Sequence, residues 1–174
     1  MALGITSKGK HMTATLFPWV RVLHILFAAS WFGAATFLTL YLLPVARQLG
    51  AAGGATMTAL TGRGFHRFMA TNAGLTVLSG LWLYWTLTAG FAGPAMASTS
   101  GMVFGLGGLA GLLAAVVGGA VIGRNLSRIE ALKPELPAKQ PQVVALQARV
   151  AGASRLALAL LLFALVAMAL GHSF

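Results

Sequence analysis

Four stretches of this chain are apolar over lengths that match the hydrocarbon thickness of a bilayer, and that feature narrows the structures open to it. A helix needs about 20 consecutive apolar residues to cross the core, and candidate spans cover about 18–44, 66–89, 102–126 and 150–172. Of the 174 residues 58% are hydrophobic and only 8% are charged, where a soluble domain carries about 25% charged residues. The mean hydropathy is +0.86. Four spans and their connections use the whole length, so no separate soluble catalytic domain is expected. The expected fold class is all-α, an integral membrane four-helix bundle forming a single domain over 12–174.

Charge then sets an orientation. The net charge is +10, from twelve basic and two acidic residues. The first connection carries Arg47, Arg63 and Arg67, and the third carries Arg124, Arg128, Lys133, Lys139, Arg149 and Arg155. Basic loops stay on the cytoplasmic side, so both termini and the short second connection are expected outside. The localisation that follows is a bacterial inner membrane, crossed several times. Basic residues placed beside membrane spans argue against nucleic acid as a partner, despite the charge. Residues 1–11 resemble neither a signal peptide nor a helix, and His11-Met12 matches what a common cloning junction encodes. They are expected to be a vector-derived leader, with Met12 the natural start. Cysteine is absent, which excludes disulfides and thiolate chemistry.

Proline and glycine mark the connections. Pro44 is expected to close the first span, and Gly50, Gly53 and Gly54 to make the following loop flexible. Beyond the third span a helix should continue from Arg124 to Lys133, until Pro134, Pro137 and Pro141 break it. From Gln142 an amphipathic pattern runs into the fourth span. The third span carries Gly107-x-x-x-Gly111 and Gly119-x-x-x-Gly123 with Ala115 between, spacings that let helix backbones approach closely. Such a stripe serves helix contact within the chain, a homodimer, or room for a flat macrocycle.

Ionisable groups inside hydrocarbon are costly and functional by default, which singles out His24. It lies about one turn inside the outer end of the first span. His172 ends the fourth, and at 1.5 Å rise per residue the two could differ in depth by about 5 Å. Arg21, Met96 and Met102 fall near the same outer level. His66, flanked by Arg63 and Arg67, lies at the opposite face, and Thr71, Asn72 and Thr76 read as packing hydrogen bonds. The only acids, Glu130 and Glu135, sit in the third connection, so ion coupling by a buried carboxylate is not expected.

The segment Arg21-Val-Leu-His24-Ile-Leu-Phe-Ala-Ala-Ser-Trp31-Phe32-Gly33-Ala34 resembles the first helix of the copper-resistance D superfamily, which includes the J-type membrane protoporphyrinogen oxidases. Phe65-His66-Arg67-Phe68-Met69, continuing to Leu75-Thr76-Val77-Leu78-Ser79-Gly80-Leu81-Trp82-Leu83, resembles its second helix. The likeness covers residues 18 to 86. The J-type oxidases carry basic and histidine residues in their third helix, whereas the third span here has none from Met102 to Gly123. What the resemblance implies is therefore a four-helix scaffold with a haem b or copper site near His24.

Together these readings predict a haem b-binding membrane protein with an electron-transfer or oxidoreductase role, served by a redox partner or quinone. His24 would be one axial ligand and His172 or Met102 the other, with Arg21 on a propionate and Trp31 walling the ring. The alternatives are copper held by His24, His172, Met102 and Met96, soft and borderline donors that suit it, and a non-catalytic subunit of a larger membrane complex. The topology is directly testable, since the chain has no native cysteine. A single cysteine introduced at Ala138 should react with an impermeant maleimide only from the cytoplasmic face, and one at Ala92 only from the outer face.

Overall fold

Residues 7–171 and 173 are described by a computed structural model of the chain, with side chains from Met12 onward. Helix α1 (Ser7–Phe37) runs through a π-helical turn, Leu38–Leu42, straight into α2 (Leu43–Gln48). Pro44 therefore does not close the span. Its ring removes one backbone donor, and the wider turn just before it accommodates the missing bond without ending the rod.

The expected flexible loop is also a helix. The chain reverses at Gly50, whose φ of +55° favours glycine, and α3 (Ala51–Gly62) follows at once. Gly53 explains the tight return. A Cβ there would collide with the Ala46 carbonyl, so α2 and α3 meet backbone to backbone. Gly64, at φ +83°, then leads into α4 (Phe65–Leu87).

After the short α5 (Gly93–Met96) comes α6 (Thr99–Val116), capped by the Ser98 hydroxyl, which accepts from the Gly101 amide at 3.0 Å. A second π-helical segment, Val117–Gly123, joins α6 to α7 (Arg124–Leu132). A 3-10 turn, Lys133–Glu135, precedes α8 (Gln140–Leu170). The prolines act here as expected, since Pro134 and Pro137 fall in the break and Pro141 in the first turn of α8. Among the described residues there is no strand.

Three segments are long and apolar enough to cross a membrane: Met12–Gln48, Thr99–Glu135 and Gln140–Leu170. The fourth expected span, α4, has 23 residues, enough for roughly 34 Å at the α-helical rise. It is less apolar because Thr71, Asn72, Thr76 and Ser79 lie along it, and Asn72 and Ser79 bond within the helix. It packs as a partner rather than standing alone, most extensively against α1 and also against α6.

The widest contact joins α6 and α8. Val143, Val150 and Ala157 recur every seven residues on α8, with Ser154 and Leu161 each four residues after one of them, all buried. That period is the one that keeps a single seam facing a neighbouring helix. Opposite Leu161 and Ala167, in the C-terminal half of α8, are Gly107, Ala110 and Ala114 of α6, and a Cβ on Gly107 would come within 2.9 Å of the Ala167 methyl. Gly111, Gly118 and Gly119 have nothing within 4 Å of that position. The seam thus uses Gly107 but turns Ala110 and Ala114, not Gly111, toward α8. Ala114 and Leu161 also meet Trp31 and Ala35 of α1, with Met69 and Ala73 of α4 against them, so the four long helices share one core.

Ala114 is 1% exposed at that junction. Ala114→Leu should overpack it and cost about 1–3 kcal/mol, read as a lower thermal midpoint in detergent. Leu112→Ala, on the exposed side of the same helix, should leave the midpoint nearly unchanged.

Candidate functional site around His24

On α1, His24, Trp31 and Ala35 fall on one face, seven and then four residues apart. Trp31 and Ala35 are buried, so that face turns inward and carries the half-buried His24 with it. On α4 the surface it meets is Thr76, Ser79 and Gly80. The His24 Nδ1 lies 3.0 Å from the Thr76 carbonyl oxygen and 3.0 Å from the Ser79 hydroxyl.

These partners determine the tautomer. A carbonyl oxygen can only accept, and the single proton of the Ser79 hydroxyl is already taken by its own helix, at the Leu75 carbonyl with that of Thr76 farther off. The proton must therefore sit on Nδ1, which leaves the Nε2 lone pair of the neutral ring bare. Among the described residues Nε2 has no hydrogen-bond partner. Gly80 makes the approach possible, since a Cβ there would stand 2.8 Å from the ring's Cε1. The imidazole lies flat on helix backbone. Beside it the buried Thr76 hydroxyl has no partner, a polar atom costing about 1–3 kcal/mol when left so.

The other predicted residues spread around this point. Arg21 is exposed, one turn outward, and neither acid pairs with it, since Glu130 bonds Lys133 at 2.6 Å and Glu135 bonds Lys139 at 3.9 Å. Trp31 is two turns inward and packed against Ala35, Ala114 and Leu161, so protein occupies its faces. Met102 adjoins Gly101, whose carbonyl accepts from the Tyr84 hydroxyl at 3.1 Å. That puts Met102 about a turn beyond the Ser79–Gly80 level, with its side chain turned outward, and Met96 in α5 is exposed too. His172 lies outside the described residues. His66 begins α4, ten residues and about 15 Å along the helix from Thr76, exposed beside Gly123.

Among the described residues no three His, Asp or Glu side chains gather as a metal cage. What the fold presents is one oriented imidazole. A hollow of about 280 Å³ lined by Leu78, Leu81, Trp82, Trp85 and Phe91 lies on the opposite face of α4 and does not extend the site. Sequence reasoning found His24 and took Thr76 as packing, but missed Ser79 and Gly80 as its seat. The available signal was a small residue four positions after a threonine, on the helix that pairs with the histidine. No family model, curated protein or solved structure matches the chain.

Gly80→Ala should push the ring off α4 and break both Nδ1 bonds, seen as loss of the protected His24 Nδ1–H resonance in nitrogen-edited NMR. Ser79→Ala should keep the resonance, because the Thr76 carbonyl still accepts.

Proposed function

We propose that this chain is a four-helix, multi-pass protein of the bacterial inner membrane, with both termini outside, that holds haem b through His24 and serves a redox role. The observation that supports the reading is the anchored tautomer. A ligating histidine commonly donates its second ring N–H to a carbonyl, which fixes the ring and raises the basicity of the ligating nitrogen. His24 has that arrangement with Thr76, and its bare Nε2 is the atom that would hold the iron.

Haem iron supplies one-electron chemistry at a potential set by its ligands and burial. The residues of this chain would do the holding. The Thr76 carbonyl and Ser79 hydroxyl keep the ring from rotating, and Gly80 leaves it space against α4. Arg21, one turn outward and free of carboxylate partners, offers a guanidinium that matches a propionate bidentately. A second axial ligand would come from His172 or, with a change of side-chain direction, Met102. Electrons would pass to a membrane redox partner or a quinone. Copper at the same Nε2 is the variant of this reading that the superfamily resemblance also implies.

A second reading rests on the same bond. A histidine donating to a neighbouring helix backbone is also helix–helix adhesive, contributing on average about 0.6 kcal/mol in a membrane. In that case the chain is an accessory subunit of a larger complex.

One experiment separates these. Protein expressed with haem supply and purified in detergent should show reducible Soret and α bands, with about one haem per chain. His24→Ala should lose nearly all of that signal while remaining helical, and His66→Ala should keep it. Copper without haem bands, lost with His24, would replace the cofactor. Neither bands nor copper, with a native complex co-purifying, would establish the subunit reading.

A further inference from the structure

At the basic end of the molecule α7 and α8 pack side by side beyond the apolar spans. Between them is a hollow of about 320 Å³ lined by Arg128 and Leu132 of α7 and by Gln142, Ala145, Leu146 and Arg149 of α8. Its charge is uncompensated. The only two acids of the chain are held by lysines, Glu130 by Lys133 at 2.6 Å and Glu135 by Lys139 at 3.9 Å. Two guanidiniums therefore face one hollow with no carboxylate partner, over a floor of two leucines. We propose that this hollow binds the phosphate of an anionic phospholipid, in the leaflet on the side of the third connection.

Depth, charge and floor all favour that occupant. The glycine-rich part of the third span ends at Gly123, five residues before Arg128, which is about 7–8 Å along a helix. The apolar run of α8 begins at Leu156, seven residues after Arg149, which is about 10–11 Å along a helix. The headgroup layer on each side of the hydrocarbon is roughly 5–7 Å deep, and arginine stems can reach back toward it. Guanidiniums match phosphate oxygens bidentately. A free phosphate would leave Leu132 and Leu146 uncovered, whereas a lipid's glycerol and first acyl carbons would lie on them. The inference rests on the membrane reading of the fold and is independent of any cofactor at His24.

The test is native mass spectrometry of detergent-purified protein titrated with phosphatidylglycerol or phosphatidylcholine of the same chains. The wild type should bind the anionic lipid in preference. Each surface basic residue contributes about 1 kcal/mol toward anionic lipid, or about five-fold, so Arg128→Ala/Arg149→Ala should weaken binding about 25-fold. Arg63→Ala/Arg67→Ala removes equal charge from the same face and should weaken binding far less than the Arg128/Arg149 variant, because neither side chain lines the hollow. Arg128→Lys/Arg149→Lys should fall between the wild type and the double alanine variant, and circular dichroism should show unchanged helix content in all. Equal binding of both lipids, or equal losses in the two double alanine variants, would overturn the proposal. So would displacement of the lipid by millimolar inorganic phosphate, which would make this a soluble-anion site. A chain that stays in solution without detergent would instead remove the membrane reading itself.

Discussion

Apolar surfaces gain little by leaving hydrocarbon for one another, so helices that meet in a membrane depend on close backbone approach and contact. In this molecule that constraint is met along α6 and α8. Gly107, Ala110 and Ala114 present almost no side chain, and α8 answers with Leu161 and Ala167. The Ser100 hydroxyl, donating to the Gly171 carbonyl at 2.8 Å, ties one end of the pair. Once Ala114 and Leu161 are fixed, Trp31 has a place to land, and with Trp31 the rotation of α1 is set. His24, two turns away on the same face, is aimed at α4 as a result. The direction in which α1 aims His24 is thus set by packing two turns away, and Thr76, Ser79 and Gly80 then hold the ring itself.

The chemistry available at His24 follows from what the surrounding helix can and cannot do. Helix backbone normally has no acceptor to spare in its interior, but a carbonyl has two lone pairs and can take a second donor from the side. The Thr76 carbonyl does this for His24. The arrangement costs the helix no bond and gives the ring a single orientation. It leaves Nε2 as the reactive atom, whether for iron, for copper or for a proton.

The residues that were legible in the sequence are those whose physics is local. The helical rods follow from apolar length, the break after Leu132 follows from three prolines, and His24 stands out because an imidazole in an apolar run has to be accounted for. What escaped depends on which helix faces which. Gly50, Gly53 and Gly54 suggest a loop until the backbone of Ala46 is seen lying against Gly53. Ser79 and Gly80 carry no mark of a seat for a histidine until α4 lies against α1. Depth alone grouped Met96 and Met102 with His24, but azimuth around the helix decides contact, and both methionines turn outward. The glycine stripe was legible as a contact surface, yet its partner face is offset to Ala110 and Ala114, since α8 rather than the glycine spacing selects the angle.

One habit of the polar side chains has a consequence for how the chain is made. Thr36 donates to the Phe32 carbonyl, Asn72 to Phe68, Thr86 to Trp82, Thr88 to Tyr84 and Asn125 to Val121, each at 2.8 to 2.9 Å and each four residues back in its own helix. A helix whose polar groups are satisfied from within carries no debt to its neighbours while it is alone. It can leave the insertion machinery for lipid as a finished rod and wait there. Assembly becomes a later, lateral event among completed pieces, in which His24, Tyr84 and Ser100 must still find their partners on other helices.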